Sequence, residues 1–255
     1  MTSTFDLNAA SFERHRALPS GVPEAIRKAI WEFTGERSSA RVLDLGAGSG
    51  RIGRAFVEAG DAYVGVDFSL AMLREFHARN PAACLLQADG GQLPFPNGSF
   101  ELVLLMQVLS GAHNRRSLLS ETARVAARGG CVIVGQTVTP PEGVDARMKK
   151  QLAVVLEEMG AGAHGSKEAR EQSLEWLGAQ STRSMRSTAA SWTAQRTARE
   201  FLDRHGSGAR FSALPGAVQA EALKRLGAWA DKSCGSLDEM FSETHSFELH
   251  VFVLR

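Results

Sequence analysis

Residues 42–50 read Val42-Leu43-Asp44-Leu45-Gly46-Ala47-Gly48-Ser49-Gly50, an apolar strand with an acid near its end that runs into a glycine-dense turn. Glycines at alternate positions, Gly46, Gly48 and Gly50, remove side chains where backbone must bend sharply and approach a ligand closely. Asp67 closes the next apolar run, Val64-Gly65-Val66, and lies 67 − 46 = 21 residues beyond Gly46. That interval holds a helix and a return strand, and an acid at its end can accept hydrogen bonds from ribose hydroxyls. The pairing describes a pocket for a nucleoside-bearing cofactor.

The glycines alone allow two cofactors. Gly48-Ser49-Gly50-Arg51-Ile52-Gly53 fits the G-x-G-x-x-G pattern of dinucleotide binding, in which a pyrophosphate sits on a helix N-terminus. In that pattern the first glycine follows the strand directly, whereas here the strand ends around Leu45 and Gly46 comes first. Asp44, at the mouth of the loop, repels a pyrophosphate and suits a cationic ligand better.

The same stretch resembles motif I of the class I S-adenosylmethionine (SAM) dependent methyltransferases, and Val64-Gly65-Val66-Asp67-Phe68-Ser69 resembles their second motif. The resemblance continues through Leu86-Gln87-Ala88-Asp89-Gly90 with Leu93-Pro94-Phe95, then Ser99-Phe100-Glu101-Leu102-Val103, and then Arg124-Val125-Ala126-Ala127-Arg128-Gly129-Gly130. Order and spacing are similar to the type 11 subgroup, which includes the ubiquinone and menaquinone biosynthesis methyltransferases, over about residues 40–137. It implies an α/β, Rossmann-like, seven-stranded sheet, mostly parallel with an antiparallel last strand, helices on both faces and a helical insertion in the C-terminal half. It also implies SAM as methyl donor, S-adenosylhomocysteine as product and a small-molecule acceptor.

Composition bounds the rest. A chain of 255 residues with 44% hydrophobic residues has length enough for one α/β domain. A net charge of +1 recruits neither nucleic acid nor an anionic membrane. Cys84, Cys131 and Cys234 are far apart, which indicates neither a metal site nor a disulfide framework, and Cys84 and Cys131 fall in strands expected to be buried. The N-terminus lacks a basic start followed by an apolar segment, and no apolar run reaches membrane-spanning length, so a soluble cytoplasmic protein, monomer or homodimer, is expected.

Periodicity alternates between strand-like and helix-like through the first 137 residues, as in a parallel sheet covered on both faces. Strands are expected at Arg41 to Leu45, Tyr63 to Val66, Cys84 to Gln87, Leu102 to Met106 and Cys131 to Gly135. Ser69 caps a helix from Leu70 to Arg79 that Asn80-Pro81 ends, and Asn114 caps Arg115 to Ala127, with Arg128-Gly129-Gly130 as the turn into the fifth strand. Beyond Thr139-Pro140-Pro141, helices are expected around Met148 to Met159, Lys167 to Ala179, Arg196 to His205 and Pro215 to Lys232, with a sixth strand at Thr182 to Trp192. Phe247, Leu249, Val251 and Val253 alternate strictly and form a last strand. The domain divides into an N-terminal helical lid (1–36), a cofactor-binding core (37–138), a mostly helical substrate-side insertion with the sixth strand (139–243) and the last strand (244–255).

Site candidates follow residue by residue. Asp67 binds both ribose hydroxyls by resemblance, or only caps a helix. Gly46, Ala47 and Gly48 present backbone to the methionyl end of the cofactor, and Asp44 holds its ammonium group or braces the loop. Phe68 and Met72 pack on the adenine face or in the core. By resemblance Asp89 accepts from the adenine amino group, with the Gly90 N–H reaching the ring, or it is a surface turn residue in Asp89-Gly90-Gly91. By resemblance the Gln107 backbone meets the cofactor's amino group, while its side chain points into either the pocket or the fold. His113, in Val108-Leu109-Ser110-Gly111-Ala112-His113, is the nearby titratable group and a general-base candidate, although relatives commonly carry an aromatic or histidine pair there. Phe12 to Pro19 resembles the lid segment of the subgroup, in which Arg16 closes over the cofactor, or it is an amphipathic helix packed on the sheet edge. Trp176, Trp192 and Trp229 wall an apolar substrate pocket or belong to the core, and Arg183 and Arg186 meet an acidic substrate group or water.

Methyl transfer from a sulfonium needs alignment more than a side-chain nucleophile, and a base only when the acceptor must lose a proton. Two rivals remain: a nicotinamide-dependent oxidoreductase, and a SAM-binding regulatory protein without turnover. Reductases built on a Tyr-x-x-x-Lys pair need a tyrosine, and the single one here is Tyr63, in a strand expected to be buried.

Overall fold

A computed structural model describes residues 17–35, 40–109, 114–162, 166–205, 211 and 214–255. Its elements in chain order are α1 (Val22–Thr34), β1 (Arg41–Leu45), α2 (Gly53–Glu58), β2 (Ala62–Asp67), α3 (Leu70–Arg79), β3 (Cys84–Gln87), β4 (Phe100–Met106), α4 (Arg115–Val125), β5 (Ala126–Val138), α5 (Val144–Glu158), α6 (Ser166–Gln180), β6 (Ser181–Arg196), α7 (Ala198–His205), α8 (Gly216–Ser233) and β7 (Phe241–Leu254). The strands make one seven-stranded sheet in the order β3-β2-β1-β4-β5-β7-β6. β1 to β5 pair in parallel, and β7 runs antiparallel between β5 and β6.

Central strands are apolar on both faces because helices cover both. Val42, Leu102, Leu104, Ile133, Phe247, Leu249 and Val251 face one layer, with Ile26, Ile30 and Trp31 of α1, Phe56 of α2 and Phe76 of α3. Leu43, Leu45, Val66, Val103, Leu105, Val134, Phe252 and Leu254 face the other, with Leu118 and Leu119 of α4 and Leu177 of α6. Two expected caps are in place. Ser69 Oγ accepts from Met72 N at 3.3 Å, and Asn114 Oδ1 from Ser117 N at 3.2 Å. Each satisfies one free donor of a first turn.

A third cluster lies apart from the sheet faces: Met148, Leu152 and Val155 of α5, Phe201 of α7, and Ala222, Leu226 and Ala230 of α8. α5 follows the carboxyl end of β5, α7 follows that of β6, and α8 leads into the start of β7, which is antiparallel. All three therefore belong to the edge where the parallel strands end. α6 differs. It crosses back to the start of β6, and its buried Ala169, Ser173 and Leu177 lie against the sheet side.

Several expectations need correction. Cys84 is exposed because β3 is a four-residue edge strand open to solvent on one side, and Cys131, in β5, is only partly buried. α4 stops at Val125, and Arg128-Gly129-Gly130 is an irregularity within β5: pairing with β4 jumps from Phe100–Ala126 to Leu102–Cys131, with Gly129 at φ 72°. β6 runs to sixteen residues, longer than its serines and alanines suggest, because only β7 flanks it and its outward positions stay polar. The tryptophans do not converge: Trp192 packs with the α1 layer, Trp176 with the α6 layer and Trp229 with the third cluster.

Candidate active site at the carboxyl edge

β1 ends in a turn that the main chain of β2 holds. Gly46 N and Ala47 N both donate to Val66 O, at 2.8 and 3.0 Å. Gly46, Gly48 and Gly50 have φ of 79°, 56° and 81°, where L side chains are strained. They differ in what surrounds them. A Cβ on Gly46 would meet Val108 Cγ2 at 2.7 Å, and one on Gly50 the Phe76 ring at 2.3 Å, but at Gly48 nothing beyond the Gly46 carbonyl, at 3.9 Å, comes near. Two of the glycines make room for the fold, and Gly48 keeps open space above the loop.

Asp67 stands where β2 meets α3. Its Oδ2 accepts from Gly48 N at 2.9 Å and its Oδ1 from Ser69 N at 2.8 Å, so one carboxylate ties the glycine loop to the helix start. Next along the edge, Ala88 N donates to Asp67 O at 3.1 Å, and Asp89, exposed, accepts from Gly91 N at 2.8 Å. Phe68 is 49% exposed beside Asp67, whereas Met72 is 3% exposed and is core. At Gly90 a Cβ would meet Leu118 Cδ1 at 2.7 Å, so its backbone packs directly on α4.

Asp44 is the electrostatic anomaly of this edge. It is 2% exposed, its Oδ2 accepts from Tyr63 Oη at 2.8 Å, and its Oδ1 is buried with no hydrogen-bond partner. Burial raises its carboxyl pKa to about 7; the Tyr63 bond opposes the rise and the Asp67 charge adds to it. Tyr63 is itself pushed upward, chiefly by burial. A buried acid with an unmet oxygen next to a second acid is a site for positive charge.

Gln107, after β4, has φ 59°, a left-handed conformation that few non-glycine residues adopt. Its N–H donates to Gly135 O at 2.8 Å, its Oε1 accepts from Arg51 Nη1 at 3.0 Å, and its Nε2 donates to Thr137 Oγ1 at 2.7 Å. The side chain is engaged at both ends and braces the glycine loop against β5. Arg51 and Thr137 were not among the expected site residues, since a bridge between distant loops leaves no local pattern. The sequence places Tyr63 in a buried strand, and its β2 position opposite Val42 hides that it serves Asp44. Arg16 and His113 lie outside the described residues. The structure thus gathers Asp44, Gly46, Ala47, Gly48, Asp67, Phe68, Asp89, Gly90 and Gln107 along consecutive strand ends. Ligands bind at this edge of open α/β sheets.

Among the described residues no group of three or more His, Cys, Asp or Glu stands ready for a metal, and no helix is long and apolar enough to cross a membrane. The family described as methyltransferase domain matches residues 43–134. The demethylmenaquinone methyltransferase of Beutenbergia cavernae is 35% identical over 124 residues, 49% of this chain and 52% of that protein. The chain spans about half the length of the curated relatives it matches. Among solved structures, the YcgJ protein of Bacillus subtilis superposes with a TM-score of 0.58 at 16% identity, covering 91% of this chain and 99% of that one. A Haemonchus contortus phosphoethanolamine N-methyltransferase in complex with phosphomonomethylethanolamine and S-adenosylhomocysteine superposes with a TM-score of 0.51 at 15% identity, covering 98% and 57%. At such identities the structures speak for the fold, and the sequence match ties residues 43–134 to the family described as methyltransferase domain.

Proposed function

We propose that this chain is a SAM-dependent methyltransferase acting on a small-molecule acceptor. The observation that carries the reading is Asp67, which grips the glycine loop and the α3 start at once at the carboxyl end of β2, where an acid can accept from ribose hydroxyls. The edge also fits the rest of SAM. Asp44 has an unmet buried oxygen for the ammonium end, directly or through the loop, and Gly48 leaves space where the methionyl chain would pass. Phe68 offers a half-exposed ring to the adenine face, with Asp89 and the Gly90 N–H beside it. Gln107 acts by its backbone, its side chain being engaged elsewhere.

SAM supplies a sulfonium methyl group open to in-line displacement. What the protein adds is alignment and exclusion of water, worth up to ~7–11 kcal/mol for well-placed reactants. The helical cluster of α5, α7 and α8, at the same edge as the cofactor residues, is where acceptor choice would reside. His113, which follows β4 in the sequence, is proposed as the base for an acceptor that must lose a proton, and Arg16 as a lid residue. The demethylmenaquinone-methylating relatives suggest a reduced naphthoquinone or similar phenolic acceptor.

Calorimetry with S-adenosylhomocysteine should give micromolar binding that Asp67→Ala abolishes; no binding to the wild type would sink the proposal. Labelled SAM offered with a reduced naphthoquinone and a panel of phenols, amines, thiols and carboxylates then separates an enzyme from a binding protein without turnover.

A further inference from the structure

On the sheet face under α6, three basic side chains come within electrostatic reach of one another from β6, β7 and α6. His250 of β7 pairs directly with Arg186 of β6, on the alternation that also carries Phe252 and Leu254 toward α6. Arg170 extends from α6, next to the buried Ala169. His250 is two strand spacings from β4, about 10 Å.

The cluster is unusual for what it lacks. Arg170 Nη2 and His250 Nε2 are both buried and have no hydrogen-bond partner. The acid of this face, Glu248, is already engaged: its Oε1 accepts from Thr188 Oγ1 at 2.7 Å and Ser246 Oγ at 3.1 Å, and its Oε2 lies 3.6 Å from Arg186 Nε. Glu171 adjoins Arg170 in the helix but forms no ion pair with it among the described residues. Burial, and then Arg186, holds the Arg170 pKa below its ordinary value; burial, and then Arg170 and Arg186, does the same to His250. Water would satisfy the idle Arg170 donor without answering the repulsion between the two guanidinium groups, whereas an oxyanion would do both.

We infer that Arg170, Arg186 and His250 form a binding site for a phosphate-class oxyanion carried by a small molecule. Two guanidinium forks and an imidazole, approaching from a helix and two strands, suit a tetrahedral group with several acceptor oxygens better than a planar carboxylate. The site does not depend on methyl transfer, and the two readings can fail separately.

The test uses the full chain, with the His250 ring resonances followed by NMR at neutral pH while inorganic phosphate is added at constant ionic strength. The expected result is a saturable His250 shift, weakened about tenfold or more in Arg170→Gln, the worth of one charge-assisted hydrogen bond. Arg186→Gln, on an exposed edge strand where folding is not at stake, should weaken it as well. Acetate should not reproduce the shift at the same concentration. An unmoved His250, a shift indifferent to both substitutions, or equal saturation by acetate overturns the inference. S-adenosylhomocysteine binding, measured on the same samples, should be unchanged by either substitution.

Discussion

At the residue scale, the glycine loop gives a test that separates fold from function. Gly50→Ala puts a methyl group into the Phe76 ring at a positive φ, so the protein should lose several kcal/mol or fail to fold. Gly48→Ala meets open space, so its cost should be the left-handed strain alone, about 1–2 kcal/mol. Its methyl would nevertheless stand where the methionyl chain is proposed to pass. Thermal unfolding and S-adenosylhomocysteine calorimetry should therefore show Gly48→Ala folded and at least tenfold weaker in binding; unchanged binding would remove Gly48 from the site. Asp44 adds a pH signature. Its folded pKa, about 7, lies above its ordinary value of 3.8, so the native state holds a proton that the unfolded chain releases. Stability from this group is therefore full below about pH 4, falls as pH rises through 7 and is level above that, a loss of up to ~4 kcal/mol. Asp44→Asn should flatten that slope and stabilise the ligand-free protein at pH 8 while weakening S-adenosylhomocysteine binding. A denaturation series across pH showing the same slope in both proteins would assign the slope to another group.

At the element scale, the joint between sheet and helical cluster rests on a buried acid. Glu243, in β7, accepts through Oε1 from Val144 N at the start of α5, while its Oε2 lies 3.2 Å from His245 Nε2. Glu243 is 5% exposed and His245 2%, with the His245 ring 5.9 Å from that of Trp192. Gly143 permits the contact, since a Cβ there would meet the Glu243 carboxyl at 2.7 Å. Removing one partner of such a network strands the others, at a cost of about 3–5 kcal/mol. Glu243→Ala should therefore speed amide exchange in α5, α7 and α8 more than in β1 and β4; uniform loss of protection would show that the cluster has no separate stability. This joint also shows where sequence reading stops. Glu243 and Val144 are 99 positions apart, and a glutamate in an alternating strand reads as an outward polar residue until the capped helix is in view. Ser69, Asn114 and the strand–glycine–acid order were legible because a cap or a tight turn is decided within a few residues. The Gln107 bridge, the Asp44–Tyr63 pair and the dispersal of the three tryptophans are decided by which strands become neighbours, and no local pattern carries that.

At the scale of the whole molecule, the sheet has two unequal edges. β3 is short, and at the other end β6 presents sixteen residues of which only one side is paired. A long open strand invites pairing with a second copy, and natural sheets discourage that with charge and irregular register. β6 has both: Arg183 is exposed on it, and its pairing with β7 shifts between Ser181 and Arg183 and again between Thr188 and Ala190. The same polarity that made this strand hard to read from sequence thus has a physical use at the edge. Arg183 forms no ion pair among the described residues, so its replacement removes the charge without breaking a bond in the fold. Arg183→Val should leave the unfolding free energy within about 0.5 kcal/mol of wild type, the range of ordinary surface substitutions. It should nevertheless promote self-association that grows with concentration in light scattering. Destabilisation without association would mean that Arg183 supports the strand, and an unchanged scattering profile would mean that the two breaks in register protect the edge by themselves.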